Sequence, residues 1–246
     1  MKICIGQTNP QKGDIDKNIE IHKQFIQAAI EQSADIIVFP ELSLTGYEPD
    51  LAKEIATTQS DKRLYTFQKL SDNHKIIIGC GIPTKIENNL FISMIIFQPN
   101  KERITYSKQN LFPSETEIFN VGNESIIIPF DIENIIAPAI CYDLSDPKHS
   151  ENAKQNNSNI YIASVLNSVN GIDEDIYKLS NIAKKHKMTV FMANFIGQSG
   201  GYECAGKSSI WNDSGELIEQ LDNSTEGILL YNTKTKLTTK IKINCH

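Results

Sequence analysis

The sequence predicts an α/β fold, and three observations carry that prediction. Short continuous apolar runs such as DIIVFP and KIIIGCGIP have the signature of strands buried on both faces, and they alternate with helical patterns. The stretch from 90 to 140 reads as strand after strand. No repeat of 20–50 residues, low-complexity tract or Pro-, Gly- or Ser-rich linker divides the chain. One α/β domain spanning residues 1–246 is the economical reading, with helices on the outer faces and sheets packed inward.

The elements come in this order. KICIGQTN opens as a strand. Apolar positions at Ile15, Ile19, His22, Ile26, Ala29 and Ile30 then recur at the three- and four-residue spacing of an amphipathic helix, with Asp14 as its N-cap. DIIVFP is the next strand. A second helix carries Leu64, Phe67 and Leu70, and KIIIGCGIP comes after it. The β-rich middle contributes LFISMIIF, RITYSK, SIIIPFDI and ENIIAPAIC. Alternation then returns: a short polar helix around 147–157, strand NIYIASVL, helix DIYKLSNIAKKHK and strand MTVFMANF. SSIW, a turn at NDSG, ELIEQL and GILLYN close the chain as hairpin-like pieces.

The formal net charge of -6 argues against a general nucleic-acid binder, which would show a basic stripe. No apolar run approaches the roughly 18 residues of a membrane span. MKICIGQTNPQKGD lacks the apolar core of a signal peptide. The five cysteines (Cys4, Cys80, Cys141, Cys204 and Cys245) are odd in number, widely spaced and free of any CxxC pair. That pattern fits reduced thiols better than a disulfide framework or a zinc site, so the expected compartment is the cytoplasm.

Three chemically useful residues each come directly after a strand: Glu41 after IIVFP, Lys108 after RITYS and Cys141 after IIAPAI. Taken alone, each has a bland explanation as a solvated or capping residue, or as a core thiol. Together they suit one chemistry, because groups at strand ends converge on a common crevice. A thiol becomes a nucleophile when a neighbouring base or positive charge activates it, and a helix N-terminus after Cys141 is expected to favour the thiolate. A carboxylate can take the thiol proton and return it to a leaving amine. An ammonium, with the backbone N–H after the nucleophile, can hold the oxyanion formed when a carbonyl is attacked.

FPELSLTGYEPD, YSKQNLFPSETEIFNVGN and ICYDLSDP, in that order and at those separations, resemble the three signature stretches of the nitrilase superfamily of carbon–nitrogen hydrolases. Weaker similarity runs through IYIASVL, MANFIGQSGG and GKSSIWNDSGELI, so the resemblance covers nearly the whole chain. It implies a four-layer αββα sandwich and a homodimer or larger assembly paired through helices near the nucleophile. It implies Glu41 as general base, Lys108 as stabiliser of the tetrahedral intermediate, and Cys141 as the residue that forms a thioester. The N–H of Tyr142 is the implied oxyanion partner. A second glutamate that orients Lys108 or substrate is implied after the lysine; Glu115 fits its position better than Glu117. Tyr47 and Phe112 are expected to line the pocket. The implied substrate is a small linear amide with water as acceptor, without cofactor or metal. Nitrile hydrolysis, N-carbamoyl hydrolysis and acyl transfer on the same site stay open, as does a non-enzymatic binding role.

Two departures stand out. Many relatives carry an Arg-aromatic-Pro-Glu run where this chain has Ser145-Asp146-Pro147-Lys148. Losing that arginine removes a bidentate partner for a carboxylate, which counts against substrates with a free acid group. Asn110 stands where a histidine is common.

Two rival readings are weaker. Gly201–Ser208 matches the phosphate-loop pattern GxxxxGK[ST], but it leads into a β-like run rather than a helix, and Glu203 in its interior would repel phosphate. A Cys–His hydrolase would need His149 or His186, and both read as solvated residues on polar helices.

Overall fold

The computed structural model describes residues 1–244; the expected free thiol of Cys245 lies outside the described residues. The first half of the chain gives β1 (Lys2–Gln7), α1 (Ile15–Glu31), β2 (Ile36–Val38), α2 (Ala52–Ile55), α3 (Tyr65–His74), β3 (Ile77–Ile86), β4 (Asn89–Phe97) and β5 (Ile104–Ser107). Then come β6 (Ile128–Pro129), β7 (Ile135–Ile140), α4 (Pro147–Gln155), β8 (Ile160–Ser164), α5 (Ile172–His186) and β9 (Thr189–Ala193). The chain closes with β10 (Ile196–Ser199), β11 (Tyr202–Ala205), β12 (Ser209–Trp211), β13 (Leu217–Gln220), β14 (Gly227–Asn232) and β15 (Thr238–Lys242).

These strands form a seven-stranded sheet in the order β15-β14-β1-β2-β3-β4-β5 and a six-stranded sheet in the order β13-β12-β9-β8-β7-β6. Each sheet has a parallel trio at its heart, β1-β2-β3 in one and β7-β8-β9 in the other, flanked by antiparallel strands. The alternation of side chains across each strand explains the apolar runs. Ile36 and Val38 point to one core cluster and Ile37 to another; Ile160 and Ile162 divide in the same way from Tyr161 and Ala163.

Three apolar layers result. Ile5, Val38 and Ile96 of the larger sheet pack against Ile136, Ile162 and Phe191 of the smaller. Phe25 and Ile26 of α1 and Phe67 of α3 cover the outer face of the larger sheet. Leu179 and Ile182 of α5, with Ala153 of α4, cover the smaller. Helix, sheet, sheet, helix is the four-layer αββα sandwich. Each large apolar side chain buried in these layers contributes about 1.5–3 kcal/mol. Asp14 caps α1 as expected, its carboxylate accepting from the Lys17 N–H at 3.0 Å.

Three details differ from the sequence-based expectation. SIIIPFDI narrows to the two residues of β6, an edge strand in which Pro129 has no N–H to donate. The end of the chain splits between the sheets: β12 and β13 extend the smaller one, whereas β14 pairs with β1 and carries β15 outside it. The β10–β11 hairpin was unforeseen, as was β15. Of these, the pairing of β14 with β1 joins the two ends of the chain, which local patterning does not reveal.

Candidate active site

The ends of β2 and β8 meet across the two sheets, where the Ser164 hydroxyl donates to the Phe39 carbonyl at 2.7 Å. Glu41 stands just beyond, in a tight turn. Leu42 holds a left-handed φ of 53°, and the Ser43 hydroxyl is gripped by His22 Nε2 at 2.9 Å and by the Gly81 N–H at 3.2 Å. Position 81 requires glycine, because a Cβ there would collide with the backbone of Pro40 and Leu42. Lys108 comes after β5. Its N–H donates to the Ile92 carbonyl at 2.8 Å and its carbonyl accepts from the Gly122 N–H at 2.7 Å. Gly122 lies so close to Ser107 that a side chain would not fit, which locks the backbone carrying the lysine.

Cys141 ends β7 with φ at 41°, a left-handed conformation for a non-glycine residue, and begins a 3₁₀ turn over Cys141–Ser145. Such a conformation costs on the order of 1–3 kcal/mol and persists only when its surroundings hold it. Its Sγ lies 3.7 Å from the Leu166 carbonyl.

These elements bring the candidate residues together. Lys108 Nζ donates to Glu41 Oε1 at 2.7 Å and to Glu115 Oε1 at 2.8 Å, and all three side chains are essentially sealed from solvent. Glu115 Oε1 also accepts from the Tyr47 hydroxyl at 2.8 Å, and its Oε2 accepts from the Phe112 N–H at 2.7 Å. Glu117 is exposed and takes no part. Glu41 Oε2 is buried without a hydrogen-bond partner, and the Cys141 thiol and Lys108 are the groups that partly offset the burial of this carboxyl. A cavity of about 410 Å³ is lined by Glu41, Tyr47, Phe112, Glu115, Cys141 and Tyr142, a size suited to a small molecule. The Phe112 and Tyr142 rings meet edge to face at its rim, 5.3 Å apart.

Burial shapes the protonation of the site. Desolvation pushes the Glu41 carboxyl up to about 7 against the opposing pull of Lys108. Desolvation would lower Lys108, but the carboxylates of Glu41 and Glu115 outweigh it and hold the ammonium firmly charged. Burial, reinforced by Glu41, raises the Cys141 thiol well above its ordinary value, and Lys108 only partly opposes this. The expectation that a helix N-terminus favours a resting thiolate is therefore corrected. Cys141 opens only a single 3₁₀ turn, and the free site holds a neutral thiol beside a carboxylate poised near neutrality.

The rival readings fail on geometry. Gly201–Ser208 forms β11 and passes straight into β12; no helix stands there to present amides to a phosphate. His149 and His186 are buried rather than solvated as expected. His149 bonds the hydroxyls of Tyr106 (2.7 Å) and Tyr161 (2.8 Å), and His186 bonds Ser150 (3.2 Å), so each is absorbed by the packing of α4. Among the described residues no cluster of His, Cys, Asp or Glu could hold a metal ion. Within the same residues, no helix is long and apolar enough to cross a membrane.

Sequence patterning does not reveal the cavity's outer wall: Ser145, Asn167, Ser168, Glu174, Asp175, Lys178 and Tyr202. Helix α5 begins at Ile172, three residues before the expected DIYKLS run; the extra residues include Glu174, which lines the cavity with Asp175. Lys178 Nζ pairs with Glu174 at 2.8 Å and Asp175 at 3.2 Å, and lies 3.5 Å from the Ser145 hydroxyl. Asn167 donates to Asp175 at 2.8 Å. The acidic first turn of α5 was the one available signal.

A four-layer sandwich with a sealed Glu–Lys–Glu cluster beside a cysteine defines a class of thiol hydrolase scaffold, and comparison with known proteins agrees. The family model described as carbon-nitrogen hydrolase matches residues 2–242. A hydrolase in the agr operon of Staphylococcus aureus is 25% identical over 92% of this chain and 88% of its own length. A nitrilase of Pyrococcus abyssi is 25% identical over 93% of this chain and 87% of its own. Among solved structures, an amidase from Nesterenkonia sp. AN1 superposes with a TM-score of 0.84 at 20% identity, covering 94% of this chain and 92% of that one. The chain belongs to the carbon-nitrogen hydrolase family and is a hydrolase of C–N bonds.

Proposed function

We propose that the protein is a thiol-dependent amidase acting on a small linear amide, with residues 1–246 working as one hydrolase domain. The observation that carries this reading is the state of Glu41: Lys108 holds Oε1, Oε2 is buried without a hydrogen-bond partner, and the Cys141 thiol interacts with this same carboxyl. In the reaction, Glu41 Oε2 takes the Sγ proton as the sulfur attacks the amide carbon. The Lys108 ammonium and the Tyr142 N–H hold the oxyanion. The tetrahedral intermediate collapses with cleavage of the C–N bond, and Glu41 returns the proton to the departing ammonia. Water, deprotonated by Glu41, then attacks the thioester; the second intermediate releases the carboxylic acid and restores the thiol. Glu115 orients Lys108 and is held in turn by Tyr47; Phe112 and Tyr142 bound the substrate. No step calls for a cofactor.

The test is an ammonia-release screen over small amides, N-carbamoyl compounds and nitriles, with Cys141→Ala as control. Turnover of a linear amide that vanishes in Cys141→Ala is the expected result. Full activity in that variant would falsify the assignment. Turnover of nitriles or N-carbamoyl compounds alone would keep the site chemistry and replace the substrate class.

The reading includes a cytoplasmic protein with reduced thiols, which cell fractionation with thiol labelling checks. It also includes a homodimer paired through helices near the nucleophile. A monomer mass by light scattering across micromolar concentrations would remove that element.

A further inference from the structure

Asp143, two residues after the nucleophile, is fully buried, and its carboxylate bonds both backbone segments that carry the reacting groups. Oδ1 accepts from the N–H of Gln109 at 2.9 Å and of Asn110 at 2.8 Å, the two residues after Lys108. Oδ2 accepts from the N–H of Ile140 at 2.9 Å, the residue before Cys141, and from the Tyr106 hydroxyl at 2.7 Å, two residues before Lys108. Tyr106 is itself backed by His149, and His149 by Tyr161. With Tyr106 donating to Asp143, His149 Nε2 carries the proton and Nδ1 accepts from Tyr161.

The topology gives this carboxylate a purpose. Lys108 sits past the edge strand of the larger sheet, and Cys141 ends a strand of the smaller one. The sheets meet through apolar packing, which is non-directional and does not by itself set the separation of two polar groups. A turn after β7 needs only the Ile140 contact. The bonds to Gln109 and Asn110 span more than thirty residues of sequence and join the lysine loop to the nucleophile turn.

We propose that Asp143 is a positioning residue that fixes the Lys108 ammonium relative to the Cys141 thiol by tying together the two segments that bear them. The proposal rests on the catalytic roles of Lys108 and Cys141 in the amidase reading. Misplacing reacting groups by about 1 Å costs on the order of 10²-fold in rate.

The test compares wild type, Asp143→Asn and Tyr106→Phe in kcat and KM on butyramide. Iodoacetamide labelling of Cys141 is monitored alongside by mass spectrometry. Asp143→Asn is expected to lower kcat by about 10²-fold while KM stays within about threefold. Labelling of Cys141, which needs no oxyanion stabilised by Lys108, should fall far less than kcat. The buried thiols of Cys4 and Cys80 should remain unlabelled, and the acid limb of the pH profile, set by Glu41, should not move. Tyr106→Phe removes one of the four bonds and should lower kcat roughly three- to tenfold; if Asp143→Asn does not fold, this variant carries the test. Wild-type kcat in the folded variant overturns the proposal. So does a loss matched by faster labelling of Cys4 and Cys80, which marks general loosening. Activity surviving in Cys141→Ala, or a wild type that turns over no compound of the amide, N-carbamoyl and nitrile screen, overturns the amidase reading and this inference with it. Loss in Cys141→Ala with none in Asp143→Asn overturns this inference alone.

Discussion

The cavity has two ends built on opposite principles. At its floor, Glu41, Lys108 and Glu115 are buried and locked by bonds of 2.7 and 2.8 Å. At its mouth, Lys178 also joins two acids, but Glu174 is 73% exposed and the lysine 28%. The same residue types behave differently because water competes for the second set and not the first. A desolvated cluster keeps its geometry and shifts its protonation equilibria, whereas a solvated pair is worth a fraction of a kcal/mol and rearranges readily. The proposed reaction therefore places chemistry at the floor and choice of substrate at the mouth. Substitutions ranked from floor to mouth should show that gradient.

The largest effect is expected at Cys141, the proposed nucleophile. Cys141→Ala should lower kcat by at least about 10⁴-fold, measured by ammonia release, with little change in thermal stability. Lys108→Met comes next and differs in kind, because it removes the proposed oxyanion partner and also leaves Glu41 and Glu115 without their shared cation in the dry interior. A fall of about 10²–10³-fold in kcat should accompany a destabilisation of about 3–5 kcal/mol in urea unfolding. Unchanged stability would mean that the floor is wetter than its burial implies.

The third effect is a pH dependence. As the proposed base, Glu41 has to be ionised to take the thiol proton, and its carboxyl is raised to about 7, so kcat/KM should climb through an acid limb near pH 7. An ordinary surface carboxylate would place that limb two to three units lower. The stability consequence has the opposite sign. A folded-state value above the unfolded one favours the fold fully below about pH 4.5, and that contribution is lost as pH rises through 7. Glu41→Gln should abolish activity and flatten this part of the stability profile. An acid limb near 4 in the wild type would show that the floor does not perturb its carboxylate.

The same contrast explains how much could be read without the fold. Glu41, Lys108 and Cys141 were legible as candidates because all three come just after recognisable strands and suit one chemistry together, within stretches that resemble a family's signatures, and the buried strands themselves were legible as apolar runs. Glu115 was a candidate only through the family resemblance, and the fold shows it reaching Lys108, Tyr47 and the Phe112 N–H at once. Asp175 and Lys178 were not legible. They reach the cavity because the N-terminal part of α5 lies along its wall, a relation between elements rather than a local pattern. His149 was misread for a related reason. Its helix is polar in composition, but the tyrosines that bury it lie on β5 and β8.

The smallest effect is expected at the mouth. Lys178→Met removes the cation that links Glu174 to Asp175 and faces Ser145, where relatives are expected to carry arginine. Stability should change by no more than about 0.5 kcal/mol, since the pair is partly solvated. The kcat for a neutral amide should hold within about threefold, because no bond of the floor is touched. The change should fall on KM and depend on substrate charge. With the ammonium gone, Glu174 and Asp175 stand uncompensated, so an amide bearing a carboxylate should bind more weakly and one bearing an ammonium more tightly. Each shift should shrink in added salt because the site is exposed. A loss of kcat comparable to that of Lys108→Met would erase the distinction between floor and mouth.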